Sequence, residues 1–181
     1  MDVGWDYKLD DGQRDNPVVF ATSVELPDGI VFPNEYALRA AFKTDEFKKN
    51  SSRLKAWGRK KDKSGKTVFE DDPHWIAVRN GTPLHMDPPY PRYSHHLKIR
   101  VDEGIFVRGL SREELKLTRG TFYILDTHSP HQVFNKAKFD GWNVAVSIDS
   151  YNILPADDAI ERCVNFALSH DFTTGAPVEN F

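Results

Sequence analysis

The chain has a single cysteine, Cys163, among its 181 residues, so no disulfide can form within it. That suits a reducing compartment, with cytoplasm the default expectation. It has no apolar run near the length needed to cross a bilayer, and its N-terminus shows no secretory pattern. Neither sign of charge dominates: 24 Lys and Arg against 27 Asp and Glu leave a formal charge of −3, which argues against a general polyanion binder. A G-x-S-x-G elbow, a Walker loop and paired-cysteine zinc spacing are all missing, so hydrolase, nucleotide-binding and zinc-finger readings lack support. No internal repeat or low-complexity tract is visible.

What the chain does have is His85, Asp87 and a distal His131. Two imidazoles and one carboxylate can occupy one face of a metal ion and leave the opposite positions open, the donor set of a non-haem iron site. The H-x-D spacing alone is weak, since about 0.7 matches arise by chance in this composition. Context strengthens it, because residues two apart on an extended segment share a face and aim together. His128 competes with His131 as the distal ligand, being three residues away in Thr127-His128-Ser129-Pro130-His131.

The length fits one domain. Pro17 to Val24 reads as a strand, followed by a Pro27-Asp28-Gly29 turn with Gly29 able to take positive φ. Asn34 is a suitable N-cap for a helix predicted over Glu35 to Trp57, with a break near Asn50-Ser51-Ser52 and apolar spacing through Tyr36, Leu38, Ala41, Phe42 and Phe47. Nine Lys and Arg between Lys48 and Lys66 read as a mobile, solvated polar loop in preference to a nucleic-acid patch. From His74 onward the pattern is strands: His74 to Arg79, Ser94 to Val101, Gly104 to Arg108, Glu114 to Thr118, Gly120 to Asp126, His131 to Asn135 and Trp142 to Asp149. Ala156 to Ser169 is predicted as an amphipathic closing helix. Many short strands with regular turns indicate a sandwich or barrel, mainly β with flanking helices.

Two strands divide their faces sharply. His95, Leu97, Ile99 and Val101 alternate with Ser94, His96, Lys98 and Arg100; Trp142, Val144, Val146 and Ile148 alternate with Asn143, Ala145, Ser147 and Asp149. A solvent-exposed sheet face and the wall of a ligand cavity offering cations to an anion explain the polar sets equally well.

Trp75 to Ser150, about 75 of the 181 residues, resembles the aspartyl/asparaginyl β-hydroxylase superfamily of iron(II)/2-oxoglutarate oxygenases, including its free-proline cis-hydroxylase relatives. Leu84-His85-Met86-Asp87-Pro88 resembles the first ligand segment, His96-Leu97 the R-x-H-L strand, and Gly120 to Asp126 the G-x-x-x-x-x-D run. His131 to Asn135 resembles H-x-V-x-N, and Ile148-Asp149 the end of the last strand. The resemblance implies a double-stranded β-helix, a cupin-like jelly roll. It also implies iron on His85, Asp87 and His131, 2-oxoglutarate as co-substrate with His96 helping to bind its carboxylate, and hydroxylation using O2 with release of succinate and CO2. Two positions depart from the pattern: Asn143 and Ser94 stand where the family has Arg. An amide supplies neither the charge nor the fork that a dianion needs. Lys98 and Arg100, on the same predicted face as His96, are the expected replacements for that anchor, with Arg92 and Arg108 as further candidates.

These readings make residues 1–181 one domain: a flanking strand and helix region (1–70), a β-helix core with the metal site (74–150) and a C-terminal helix and tail (151–181). The expected partner is a small-molecule or amino-acid-type substrate, without a membrane. A cupin-like metalloenzyme that does not use 2-oxoglutarate, and a non-catalytic binding protein on the same fold, are the rival expectations. His74, His95 and His170 are read as structural or surface residues, Trp75 and Trp142 as packing, and Asp126 as fixing the turn before the distal ligand.

Overall fold

The computed structural model describes residue 9, residues 11–41, 54–65, 71–88 and 91–173, and residue 178. Among these, the strands are β1 (Val18–Ser23), β2 (Leu54–Trp57), β3 (Pro73–Arg79), β4 (Tyr93–Val101), β5 (Ile105–Arg108), β6 (Glu114–Lys116), β7 (Thr121–Asp126), β8 (Gln132–Asn135) and β9 (Trp142–Ser150); the helices are α1 (Glu35–Ala41) and α2 (Ala156–Ser169). They form a six-stranded sheet in the order β1-β7-β4-β9-β3-β2 and a three-stranded sheet in the order β6-β5-β8. All strand pairings are antiparallel.

From β3 onward the chain winds between the two sheets. After β3 it crosses to lie along β8, where Thr82 N–H donates to the Val133 carbonyl and His85 and His131 exchange backbone hydrogen bonds of 3.0 and 2.9 Å. It returns for β4, crosses for β5 and β6, returns for β7, crosses for β8 and returns for β9. That alternation is the double-stranded β-helix, a mainly β, cupin-like jelly roll. β1 and β2 extend the large sheet at its two edges.

The large sheet is apolar on its outer face. Leu97 and Ile99 of β4, Val144, Val146 and Ile148 of β9 and Trp75 of β3 pack into one cluster with Ala159, Cys163 and Phe166 of α2. A second cluster, of Ile105, Val107, Leu117, Tyr123 and Leu125, lies between the sheets. Burial of this kind stabilises by roughly 25 cal/mol per Å² of apolar surface, so the sheet orientation follows from the period-2 pattern.

Two expectations are corrected. The helix predicted from Glu35 to Trp57 does not reach Trp57: the described part of α1 is Glu35–Ala41, and 54–57 is a strand paired with β3. A sheet edge serves Trp57 better than a helix would, because there its ring stacks 6.5 Å from Trp75 and meets Phe172 edge-on. Phe42, Phe47, the Asn50-Ser51-Ser52 break and much of the basic run lie outside the described residues. Gly29 is not at positive φ; its turn closes through Ile30 N–H to the Pro27 carbonyl, and a Cβ there would sit 3.0 Å from Leu168. Gly120 does need the left-handed region, with φ of 90° and the Val24 carbonyl oxygen crowding the place a Cβ would take. The Asn34 cap forms as its residue type predicts, its Oδ1 accepting from Ala37 N–H at 2.8 Å.

Candidate metal centre and ligand cavity

His85 and Asp87 sit on the segment between β3 and β4, and His131 immediately precedes β8. The backbone ladder between residues 85 and 131 places the two imidazoles side by side, ring centres 4.3 Å apart. Asp87 N–H donates to the Thr127 carbonyl at 2.9 Å, fixing the third donor. The Asp87 oxygens lie 3.5 Å from His85 Nε2 and 3.6 Å from His131 Nε2, and one donor atom from each residue falls within 4.8 Å of the others.

The donor chemistry fits a metal ion. His85 Nδ1 is 2.6 Å from the Pro83 carbonyl and His131 Nδ1 is 2.8 Å from the Ser129 carbonyl. A carbonyl only accepts, so each Nδ1 carries the proton and each Nε2 turns a lone pair toward Asp87. Burial lowers the His131 pKa, with the neighbouring His85 adding to the effect against the carbonyl bond and Asp87, which oppose it. The neutral ring is the ligating form. His131 is buried while His85 and Asp87 are partly open, so the group stands at a mouth. His128 does not join it: its backbone bonds to Asp126 and Gln13, and its side chain does not line the cavity.

Asp126 organises that turn. Its carboxylate accepts from Arg92, from Ser129 Oγ and from His128 N–H. Burial pushes its pKa up, but Arg92 and Ser129 more than offset this and hold it below the ordinary value. Arg92 and Arg108 are thereby placed: Arg92 on Asp126, Arg108 against Gln132, Glu114 and the Phe134 ring. Neither lines the cavity.

Behind the metal group lies a cavity of about 240 Å³ between the sheets. Its wall includes His74 from β3, Ser94, His96 and Lys98 from β4, Tyr123 from β7 and Asn143 and Asp149 from β9. The polar faces of β4 and β9 are therefore interior. Lys98 is only 3% exposed, and burial lowers its pKa to about 7. Its Nζ stands 5.0 Å from the centre of the Tyr123 ring, and no carboxylate among the described residues pairs with it. His96 Nδ1 and Asn143 Oδ1 are likewise buried without a hydrogen-bond partner among the described residues. Buried polar groups left unmatched cost about 1–3 kcal/mol each, so these atoms are open to a partner from outside the chain.

Arg100 does not join this set, correcting its expected place beside Lys98. The register of β4 against β9 slips between Lys98 and Arg100: Lys98 pairs with Ala145, but Arg100 pairs with Val144. One extra residue in the strand moves Arg100 to the outer face. There it bonds Asp102 and the Pro33 carbonyl and lies 3.6 Å from Glu35.

Among the wall residues that carry no local signal in the sequence are His74 and Arg59. His74, taken as structural or surface, is 2% exposed with Nε2 3.2 Å from Arg59 and 3.9 Å from Asp149; burial lowers its pKa to about 4 despite Asp149. Arg59, taken as part of a solvated loop, reaches Asp149 at 3.1 Å. Its inward path is set by β2 pairing with β3, which no local pattern announces. His95 is structural as expected, bonded to the Ile148 carbonyl and the Leu154 N–H; His170 stacks on Phe166.

No family profile matches the chain, and neither does any curated protein. Solved structures do align with it. A cupin superfamily protein from Desulfitobacterium hafniense DCB-2 is 10% identical with a TM-score of 0.37, covering 72% of this chain and 99% of that one. A cupin 2 domain-containing protein from Halorhodospira halophila is 18% identical, TM-score 0.34, covering 69% and 83%. The protein TT1209 from Thermus thermophilus is 14% identical, TM-score 0.34, covering 46% and 79%. With scores this low, the cupin-like architecture stands on the strand order of the chain itself. No helix among the described residues is long and apolar enough to cross a membrane.

Proposed function

We propose that the protein is an iron(II)/2-oxoglutarate-dependent dioxygenase, a hydroxylase whose substrate is an amino acid, a protein side chain or a small metabolite. The observation that carries this reading is Lys98, a buried ammonium with no carboxylate partner among the described residues, on the wall of the cavity that His85, Asp87 and His131 open into. An uncompensated buried cation is costly unless an anion arrives to pair with it.

His85, Asp87 and His131 hold the metal in this reading. When bound, iron supplies open positions for O2 and the 2-oxo acid and the chemistry that couples substrate hydroxylation to release of succinate and CO2. The chain's own residues do the rest. Lys98 takes the distal carboxylate of the co-substrate, with Asn143 beside it on the wall. Ile76, Val78, Leu125 and Val133 line the same space and exclude water. The Ser129 and Pro83 carbonyls keep both imidazoles in the ligating tautomer.

Asn143 favours a second reading. A lone ammonium does not reproduce the forked grip of an Arg at that position, and a cupin-like metalloenzyme that works without 2-oxoglutarate needs no such grip. Anaerobic titration of the iron(II)-loaded protein with 2-oxoglutarate separates the two. A visible metal-to-ligand charge-transfer band that His131→Ala removes supports the oxygenase; metal binding without a band replaces it with the second reading.

A further inference from the structure

Ser94 Oγ is the centre of a three-way contact: 3.0 Å from Asp149 Oδ1, 2.9 Å from His96 Nε2 and 3.0 Å from Ser147 Oγ. A hydroxyl has one proton and two lone pairs. Asp149 is a carboxylate that Arg59 engages through its other oxygen, so it accepts, and the Ser94 proton goes to it. Ser94 then has only lone pairs to offer His96 and Ser147. His96 must meet it with Nε2–H, and an imidazole protonated on Nε2 alone has a bare lone pair on Nδ1.

That Nδ1 is the atom left buried and unpartnered on the cavity wall. The ring is clamped with this edge outward from Ser94, stacked 5.0 Å from Tyr123. Burial above all, and then the Lys98 charge, keeps it neutral by lowering its pKa well below the ordinary value. A second protonation that would turn Nδ1 into a donor is therefore opposed.

We propose that Asp149, acting through Ser94, is a positioning residue that locks His96 in the Nε2–H tautomer, so that Nδ1 faces the cavity as a hydrogen-bond acceptor for an N–H or O–H of the bound substrate. The resemblance assigned His96 to the co-substrate's carboxylate. The hydrogen-bond directions reverse that role, because a carboxylate and a keto oxygen only accept, and 2-oxoglutarate at neutral pH carries no donor. The molecule that meets His96 belongs to the class with a hydroxyl, amide or amine group. Lys98 is left as the carboxylate partner on this wall, and His96 discriminates for the substrate. A site built to bond such a group rejects analogues lacking it, because its own polar atom is then stranded.

The inference deepens the oxygenase reading, yet its test stands apart from the charge-transfer titration. Nitrogen-15 spectra of the full-length protein labelled in histidine, with His96 assigned through its own side-chain bonds, report the tautomer directly. Expected are an unprotonated, pyridine-like Nδ1 and a protonated Nε2 at neutral pH. Ser94→Ala should shift the ring toward the other tautomer, and Ser94→Thr should restore the native one. Adding zinc(II) and 2-oxoglutarate should leave Nδ1 unprotonated. A wild-type His96 protonated on Nδ1, or one that becomes so when the co-substrate is added, overturns the proposal whatever the variants do. A missing charge-transfer band with the expected tautomer would instead count against the co-substrate and leave the acceptor in place.

Discussion

Lys98 and Arg100 are two residues apart on one strand, both cationic and both nearly buried, yet they sit in opposite electrostatic worlds. Lys98 lies before the irregularity in β4, on the cavity side, with an aromatic ring beneath it and no carboxylate partner among the described residues. Arg100 lies after it, on the outer side, with its guanidinium against Asp102, the Pro33 carbonyl, Glu35 and the Phe32 ring. Before the bulge the cation has no acid beside it among the described residues, and after it the cation is matched by the chain's own acids. A charge's role is thus read from what surrounds it, since pairing of Arg100 offsets the same desolvation that stays uncompensated at Lys98.

Replacing the two cations in turn tests the contrast most severely. Lys98→Met should weaken 2-oxoglutarate binding about 100-fold, the loss of one charge-assisted contact in a buried site, followed as the loss of charge-transfer absorbance. Equal affinity in the variant would break the contrast at its ligand-binding side. Arg100→Ala should do the reverse, costing about 2 kcal/mol in urea unfolding by stranding Asp102 and the Pro33 carbonyl, with co-substrate affinity unchanged.

A smaller effect follows from the pKa of Lys98, lowered by burial to about 7. Its charged form is the one that holds an anion, so affinity should fall about tenfold between pH 6 and pH 8, and Lys98→Met should abolish that dependence. Stability moves the other way. Because the folded pKa lies below the ordinary 10.5, the unfolded chain binds the extra proton between the two values. The Lys98 contribution therefore rises as pH climbs from about 7 toward 10.5 and is flat below that window. The smallest expected change is Asn34→Ala, about 1 kcal/mol of stability from the lost cap on α1, with no change in ligand binding because α1 lies on the Arg100 side.

Strands β3 to β9 and α2 were legible to within a residue or two, because alternation of apolar and polar side chains writes a period of two into β4 and β9 and apolar spacing marks α2. The pairing of His85 with Asp87 was legible for the same reason. Lys98 and Arg100 were not separable, since strict alternation carries no trace of a bulge. Arg59 was hidden in a basic run whose composition looks solvated, and His74 had no neighbour in sequence to suggest Asp149. The region from Glu35 to Trp57 misled because helical apolar spacing in α1 continues into residues that pair with a sheet edge, where tertiary contacts override local preference.

By itself, the amino-acid order determined the alternation of strand faces, the amphipathic stripe of α2, the Asn34 cap and three groups able to share an ion. All but the distal member of that trio follow from interactions within a few residues. Only the tertiary structure decided that the polar faces of β4 and β9 look inward, that Arg100 leaves the cavity while Lys98 stays, and that Asp149 reaches His96 through Ser94. Each depends on strands 50 or so residues apart coming into register, and register is settled by the packing of the whole barrel rather than by any segment of it.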